Sequence, residues 1–226
     1  MPARPLLLGH RGARREAPEN TLEAFDLCLR HGCDGFEFDV RLTADAQPVI
    51  CHDPKLGRRE IATSRYQDLQ APCLEDVLAG FMSRAFLDIE LKVPGLEGAI
   101  VDLLRRYPPR RGYYVSSFLP EVVEALYRLD HTLKLGLICS SRTQCAGWTS
   151  LALRALFLER SLCSAAVVSA LHTASKEVFV WTVNRENEMR AFGDLGVDGI
   201  ISDDTALLVK TFSRHESGDR KSYQES

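Results

Sequence analysis

Three things are missing from this chain of 226 residues, and each absence removes a class of function. No stretch approaches the ~20 uninterrupted apolar residues of a membrane-spanning helix, so no integral membrane segment is expected. The seven cysteines contain no C-x-x-C pair, and their odd number argues against a disulfide framework and against a zinc site. Each is expected to be a small buried hydrophobe in a reducing compartment. There is also no excess of one charge. With 28 basic and 31 acidic side chains the net charge is −3, which offers no electrostatic footprint for nucleic acid or for an anionic membrane surface.

Other absences narrow the reading further. Too few residues precede Gly9 for a charged segment, an apolar core and a cleavage site, so a cytoplasmic protein is expected. No heptad, internal repeat or low-complexity tract suggests a scaffold. A Gly-x-Gly-x-x-Gly after the first strand is lacking too, which counts against a dinucleotide-binding doubly wound sheet.

What is present is a regular alternation. Hydrophobic residues make up 45% of the chain and are spread along it, enough for a sizeable core. Short apolar runs alternate with stretches of helical period, which calls for a parallel sheet with helices between strands. Strands are expected at 6–10, 35–42, 86–92, 113–118, 134–139, 155–161, 178–184 and 199–203. Eight is the number that closes a (β/α)8 barrel, and the length sits near the lower end of the ~200 to >400 range for that fold.

One barrel domain is therefore expected over 1–212, with a flexible tail over 213–226. Helices are expected in the gaps, with Asn20 and Glu23 spaced as a capping box, Pro120 in a first helical turn, and Gly32 and Gly196 as C-terminal caps. The stretch 140–158 is ambiguous, because 151–158 reads equally as one helix or as a loop and a strand. The run 48–52 lies too close to the second strand for a parallel crossover, so it should fold back as a hairpin. That hairpin returns His52 to the level of Asp39.

The chemistry-bearing residues cluster around this hairpin. Glu37 and Asp39 share one face of a strand, and Glu90 can join them from the next; three converging carboxylates suit a hard divalent cation, Mg²⁺ or Ca²⁺ with Mn²⁺ possible. His10 and His52 suit a proton-transfer pair. Arg11 can grip a phosphoryl oxygen bidentately and Lys92 offers a point charge. Phe118 and Trp181 can wall a pocket. Asp53 should point away from His52 if the strand persists. The inventory fits metal-assisted phosphodiester cleavage.

Six short motifs in order carry a resemblance. His10-Arg11-Gly12, Pro18-Glu19-Asn20-Thr21, Glu37-x-Asp39, His52-Asp53, Glu90-x-Lys92 and Trp181-Thr182-Val183-Asn184 resemble the hallmarks of the glycerophosphodiester phosphodiesterase family, over roughly residues 6 to 208. Asp204-Thr205 departs from the family's usual closing aromatic and proline, and the 54–73 segment is shorter than the insertion that many relatives place as a lid over the mouth, which implies a small lid and an open site.

The resemblance implies hydrolysis of a small-molecule glycerophosphodiester to glycerol 3-phosphate and an alcohol. It implies one divalent cation, His10 as base and His52 as acid. Alternatives are a lysophospholipase D or phospholipase C-like enzyme, which would need an acyl groove, an aldolase-type barrel, which would need a Schiff-base lysine, and a phosphodiester-binding barrel without catalysis. Oligomeric state, headgroup and pathway are not encoded in these motifs.

Overall fold

The structure, a computed structural model, describes residues 4–213. Strand β1 (Leu6–His10) leads through a turn to helix α1 (Leu22–His31) and strand β2 (Gly35–Leu42). An excursion follows. Strand β3 (Pro48–Ile50) runs back along β2, and β4 (Lys55–Leu56) and β5 (Arg59–Glu60) pair as a small hairpin. Two short 3₁₀ turns then lead to α2 (Leu74–Phe81).

Regular alternation then resumes with β6 (Phe86–Leu91), α3 (Glu97–Arg106), β7 (Tyr113–Ser117), α4 (Pro120–Leu129) and β8 (Leu135–Cys139). The short α5 (Arg142–Cys145) precedes β9 (Ala155–Glu159) and α6 (Ala165–Thr173). The chain finishes with β10 (Glu177–Trp181), α7 (Glu186–Asp194), β11 (Gly199–Ser202) and α8 (Thr205–Phe212).

Eight of these strands form the expected closed parallel barrel, in the order β1, β11, β10, β9, β8, β7, β6, β2. Closure comes from β1 pairing with β2 in the register Leu8–Gly35, Gly9–Phe36 and His10–Glu37. The ambiguous stretch resolves as a short helix, a turn and a strand. Among the described residues no helix is long and apolar enough to cross a membrane, and none of the seven cysteines is disulfide-bonded. The expected tail, apart from Ser213, lies outside the described residues.

The expected hairpin is present: Val40 pairs with Ile50 and Leu42 with Pro48, antiparallel. Its turn is held by Thr43, whose N–H donates to the Gln47 carbonyl at 3.1 Å and whose hydroxyl donates to Asp45 at 2.6 Å. The Cys51 N–H donates to the Asp39 carbonyl, so the returning chain reaches the carboxylate level. Val49, Cys51, Ile61 and Leu69 pack together beneath the lid segment.

One expected cap is corrected. Thr21, not Asn20, caps α1: its hydroxyl accepts from the Ala24 N–H at 3.2 Å. Asn20 has φ of 59° and is turned inward, which frees its amide for another task. The Gly32 cap is present as expected, with φ of 100°.

Alternation along β2 divides the barrel into two apolar layers. Phe36, Phe38 and Val40 face the helices, where Phe25 stacks on Phe36 at 4.2 Å and Phe81 meets it edge-on at 5.1 Å. The barrel interior is plugged by a separate cluster: Phe157 stacks on Phe179 at 4.7 Å, and Tyr114 meets Phe179 edge-on at 5.5 Å. This aromatic plug is the floor on which the polar mouth rests.

The plug needs room at one glycine. A Cβ on Gly199 would stand 2.2 Å from Phe179, a ring held between Phe157 and Tyr114 that cannot step aside. Gly199→Ala should therefore destabilise the fold by about 1–3 kcal/mol, the usual cost of overpacking. Gly80→Ala, whose Cβ meets nothing within 4 Å, should be neutral or slightly stabilising. Urea denaturation of the two variants checks this; equal midpoints would refute the close-packed plug.

Candidate active site

The site begins with strand register. His10 pairs with Glu37 between β1 and β2, and Asp39 pairs with Glu90 between β2 and β6, so the C-terminal strand ends bring these residues to one mouth. Glu37, Asp39 and Glu90 are all buried, and each offers an oxygen within 4.8 Å of the others. A fourth carboxyl, Asp88, sits deeper at the level of Glu37 and accepts from the Ser116 hydroxyl at 2.7 Å.

Two cations face this group. Arg11 has φ of 59°, and this turn carries the residue over β2. Its backbone N–H donates to Glu37 Oε2 at 3.0 Å, while its side chain lies 3.1 Å from Asp39 and 2.9 Å from Glu19. Lys92 Nζ lies 3.2 Å from Asp39 Oδ1 and 2.5 Å from Glu90 Oε1, without the alignment of a hydrogen bond. Glu37 Oε1 is buried and accepts no hydrogen bond. Asn20 completes the shell from its inward turn: its amide donates to Asp39 at 2.8 Å, and its carbonyl accepts from the Asp39 N–H at 3.3 Å.

These neighbours split the acids electrostatically. Burial, then the charges of Asp39, Glu90 and Asp88, push the Glu37 carboxyl well above the usual range. Burial and Asp39 raise Glu90 to about 7 in spite of Lys92. Burial also lifts Asp88 well above the usual range, against the Ser116 hydroxyl. Burial opposes ionisation of Asp39 as well, but Lys92, Arg11 and the Asn20 amide outweigh it and hold the carboxyl low. Without an ion, the cluster balances its charge partly by holding protons.

Each histidine has a carboxylate behind it. His10 Nδ1 lies 2.7 Å from Asp203, and its Nε2 lies 3.9 Å from Glu37. Burial opposes ionisation of Asp203, but His10, Asn184 and Arg14 hold it down to about 2. Asn184 grips Asp203 twice, donating from its amide at 2.7 Å and accepting the Asp203 N–H at 2.9 Å.

His52 Nδ1 lies 2.7 Å from Asp53. Here the sequence expectation is corrected: β3 ends at Ile50, so strand alternation no longer separates the two side chains. Burial lowers the His52 pKa; Asp39 and Asp53 pull it up, and Arg11 and Lys92 oppose them.

A cavity of about 240 Å³ joins these parts. His10, Arg11, His52, Glu90 and Lys92 line its polar side, and Phe118, Ile138, Phe157, Trp181 and Ile201 its apolar side. Phe118 and Trp181 meet at a right angle with centroids 5.7 Å apart. The indole N–H donates to the Phe157 carbonyl at 3.0 Å, and Lys92 Nζ stands 5.5 Å from the Phe118 ring centre. The structure thus brings all nine expected side chains to one mouth.

Sequence reasoning leaves Asn20 open between a cap and a site residue, sets Asp53 aside, places Asp203 at a strand end without a role, and passes over Arg14. Arg14 lies 2.5 Å from Glu19 and 3.5 Å from Asp203, which ties the loop after β1 to the last strand. Asn20 and Asn184 both fall within quoted motifs, and that was the available signal.

Comparison with known proteins agrees with this geometry. The family model described as "Glycerophosphoryl diester phosphodiesterase family" matches residues 10–97 and 99–207. A glycerophosphodiester phosphodiesterase of Bacillus altitudinis is 28% identical over 236 residues, covering 90% of this chain and 96% of its own. One from Caldanaerobacter subterraneus is 27% identical over 233 residues, covering 90% and 96%. Among solved structures, a phosphodiesterase of Oleispira antarctica in complex with the product sn-glycerol-3-phosphate superposes with a TM-score of 0.83. It is 25% identical and is covered over 93% of this chain and 98% of its own. The Thermotoga maritima glycerophosphodiester phosphodiesterase shares the fold with a TM-score of 0.81 at 23% identity, covering 92% and 98%. With register, charge cluster and family model in agreement, this chain belongs to the glycerophosphoryl diester phosphodiesterase family, an enzyme family of phosphoric diester hydrolases.

Proposed function

We propose that the protein hydrolyses glycerophosphodiesters to glycerol 3-phosphate and an alcohol, with a divalent cation and two histidines. The observation that carries this reading is the buried trio Glu37, Asp39 and Glu90, framed by Arg11 and Lys92 and opening on a cavity that both His10 and His52 line. The Oleispira relative's product complex supports the substrate class.

The donor set fits a hard cation such as Mg²⁺ or Ca²⁺: three buried carboxylates, each with an oxygen that accepts no hydrogen bond. Such an ion would supply charge stabilisation at a phosphoryl oxygen. His10 acts as the base that takes a proton from the glycerol 2-hydroxyl, and Asp203 then stabilises the imidazolium that forms. Arg11 and Lys92 offset negative charge developing on the phosphoryl oxygens. His52, with Asp53 on Nδ1, presents Nε2–H to the departing alcohol. Water then opens the cyclic phosphate left behind.

Release of glycerol 3-phosphate from glycerophosphodiesters should be abolished by EDTA and restored by Mg²⁺, Ca²⁺ or Mn²⁺. His10→Ala and His52→Ala should each lower kcat/KM by about 10²–10⁴, the usual worth of a positioned acid or base. Release that ignores EDTA or either histidine would remove the proposal.

Cation binding should release protons, because burial and neighbouring charge keep Glu37 and Glu90 protonated well above the usual carboxylate range. With Glu90 near 7, calorimetry in buffers of different ionisation enthalpy should show more protons released per ion below pH 7 than above pH 8. Equal release at both would contradict the carboxylate assignment.

Asp53 supports the protonated form of His52, so Asp53→Asn should lower the His52 pKa further. The alkaline limb of the kcat/KM profile, where the acid loses its proton, should then move to lower pH. An unmoved limb would show that His52 is not the acid.

A further inference from the structure

His52 is shared by two cavities. One is the central cavity already described. The other, of about 290 Å³, is a groove between the start of α1, the end of the hairpin and the lid segment. Glu19, Thr21, Ile50, Lys55, Leu56 and Gln70 are among the residues that shape it.

We propose that this groove is the subsite for the leaving alcohol, and that it selects headgroups bearing hydroxyl or carboxylate groups. The proposal rests on the phosphodiesterase reading. Displacement at phosphorus places the entering and leaving oxygens roughly in line. The 2-hydroxyl oxygen bonds to phosphorus and gives its proton to His10. The bond from phosphorus to the headgroup oxygen breaks, and that oxygen takes the proton from His52. With His10 on the glycerol side, the leaving oxygen emerges towards His52, and the alcohol attached to it must continue past that ring. The groove is the space found there.

Its chemistry sets the class. Both oxygens of Glu19 are taken, one by Arg11 and one by Arg14, and Asp53 is held by His52. Lys55, which makes no ion pair with any described residue, brings a positive charge to the groove that can meet a headgroup carboxylate. Gln70 adds an amide that can serve hydroxyl groups. Ile50, Leu56 and Pro72 are its larger apolar walls, set among polar Glu19, Asn20, Thr21, Lys55 and Gln70, which suits a polar alcohol rather than an acyl chain.

The test compares glycerophosphoserine, glycerophosphocholine and cyclic glycerol 1,2-phosphate, which has no leaving headgroup. Lys55→Glu should shift the serine-to-choline ratio of kcat/KM towards choline by about tenfold or more. Leu56→Trp, which fills the groove, should lower kcat/KM on both diesters by about tenfold relative to the same variant's kcat/KM on the cyclic substrate. An unchanged ratio in Lys55→Glu, or a Leu56→Trp loss shared equally by the cyclic substrate, would overturn the subsite while leaving the phosphodiesterase reading intact. Wild-type protein that turns over none of the three substrates would overturn that reading, and the subsite with it.

Discussion

The mouth of the barrel holds four buried carboxyls, Glu37, Asp39, Asp88 and Glu90, against two permanent cations, Arg11 and Lys92. Two carboxylates 4.8 Å apart repel by roughly 3–4 kcal/mol at an effective dielectric of about 20. Full ionisation of the cluster would therefore consume a large part of the ~5–15 kcal/mol that holds a domain folded. Both cations reach Asp39 whereas only Lys92 pairs with Glu90, so Asp39 stays ionised while Glu37, Asp88 and Glu90 are pushed towards protonation. The cluster is thus short of positive charge, and its trio Glu37, Asp39 and Glu90 is one that could hold a metal ion.

Barrel closure is what enforces the crowding. A strand presents alternate residues to one side, so Glu37 and Asp39 cannot leave the interior without carrying Phe36 and Phe38 out of the helical layer. The Phe25–Phe36 stack and the Phe81 edge contact anchor that layer. Below, the Tyr114, Phe157 and Phe179 plug fills the barrel and keeps the acids at the mouth. Apolar packing on both sides thus offsets the electrostatic cost of a site that local preferences would never assemble.

The parts of this arrangement that follow from local rules were legible in the sequence. Alternation placed Glu37 and Asp39 together, and the minimum length of a parallel crossover forced the hairpin that returns the chain at Cys51 to the level of Asp39. The parts that depend on an unusual backbone conformation or on distant closure were not. Asn20 enters the site because its φ is positive, which spacing alone cannot reveal, and so its place as a cap passed to Thr21. Asp53 meets His52 because the strand stops two residues earlier than alternation assumed. Asp203 reaches His10 only because the last strand lies beside the first, a contact across 193 positions.

The two histidine–carboxylate pairs are built alike but sit in different solvent. His10 and Asp203 have side chains 17% and 24% exposed, whereas His52 and Asp53 are 34% and 74% exposed. Water screens the outer pair more, so Asp53 supports a charged His52 less than a shielded partner would, and burial with Arg11 and Lys92 draws the His52 pKa down. A phosphodiester anion entering beside Arg11 and Lys92 offsets those two cations. The same anion attracts the protonated imidazole directly. In the proposed reaction, substrate binding would thus favour the charged His52 that a general acid needs, against the burial that lowers its pKa in the free protein.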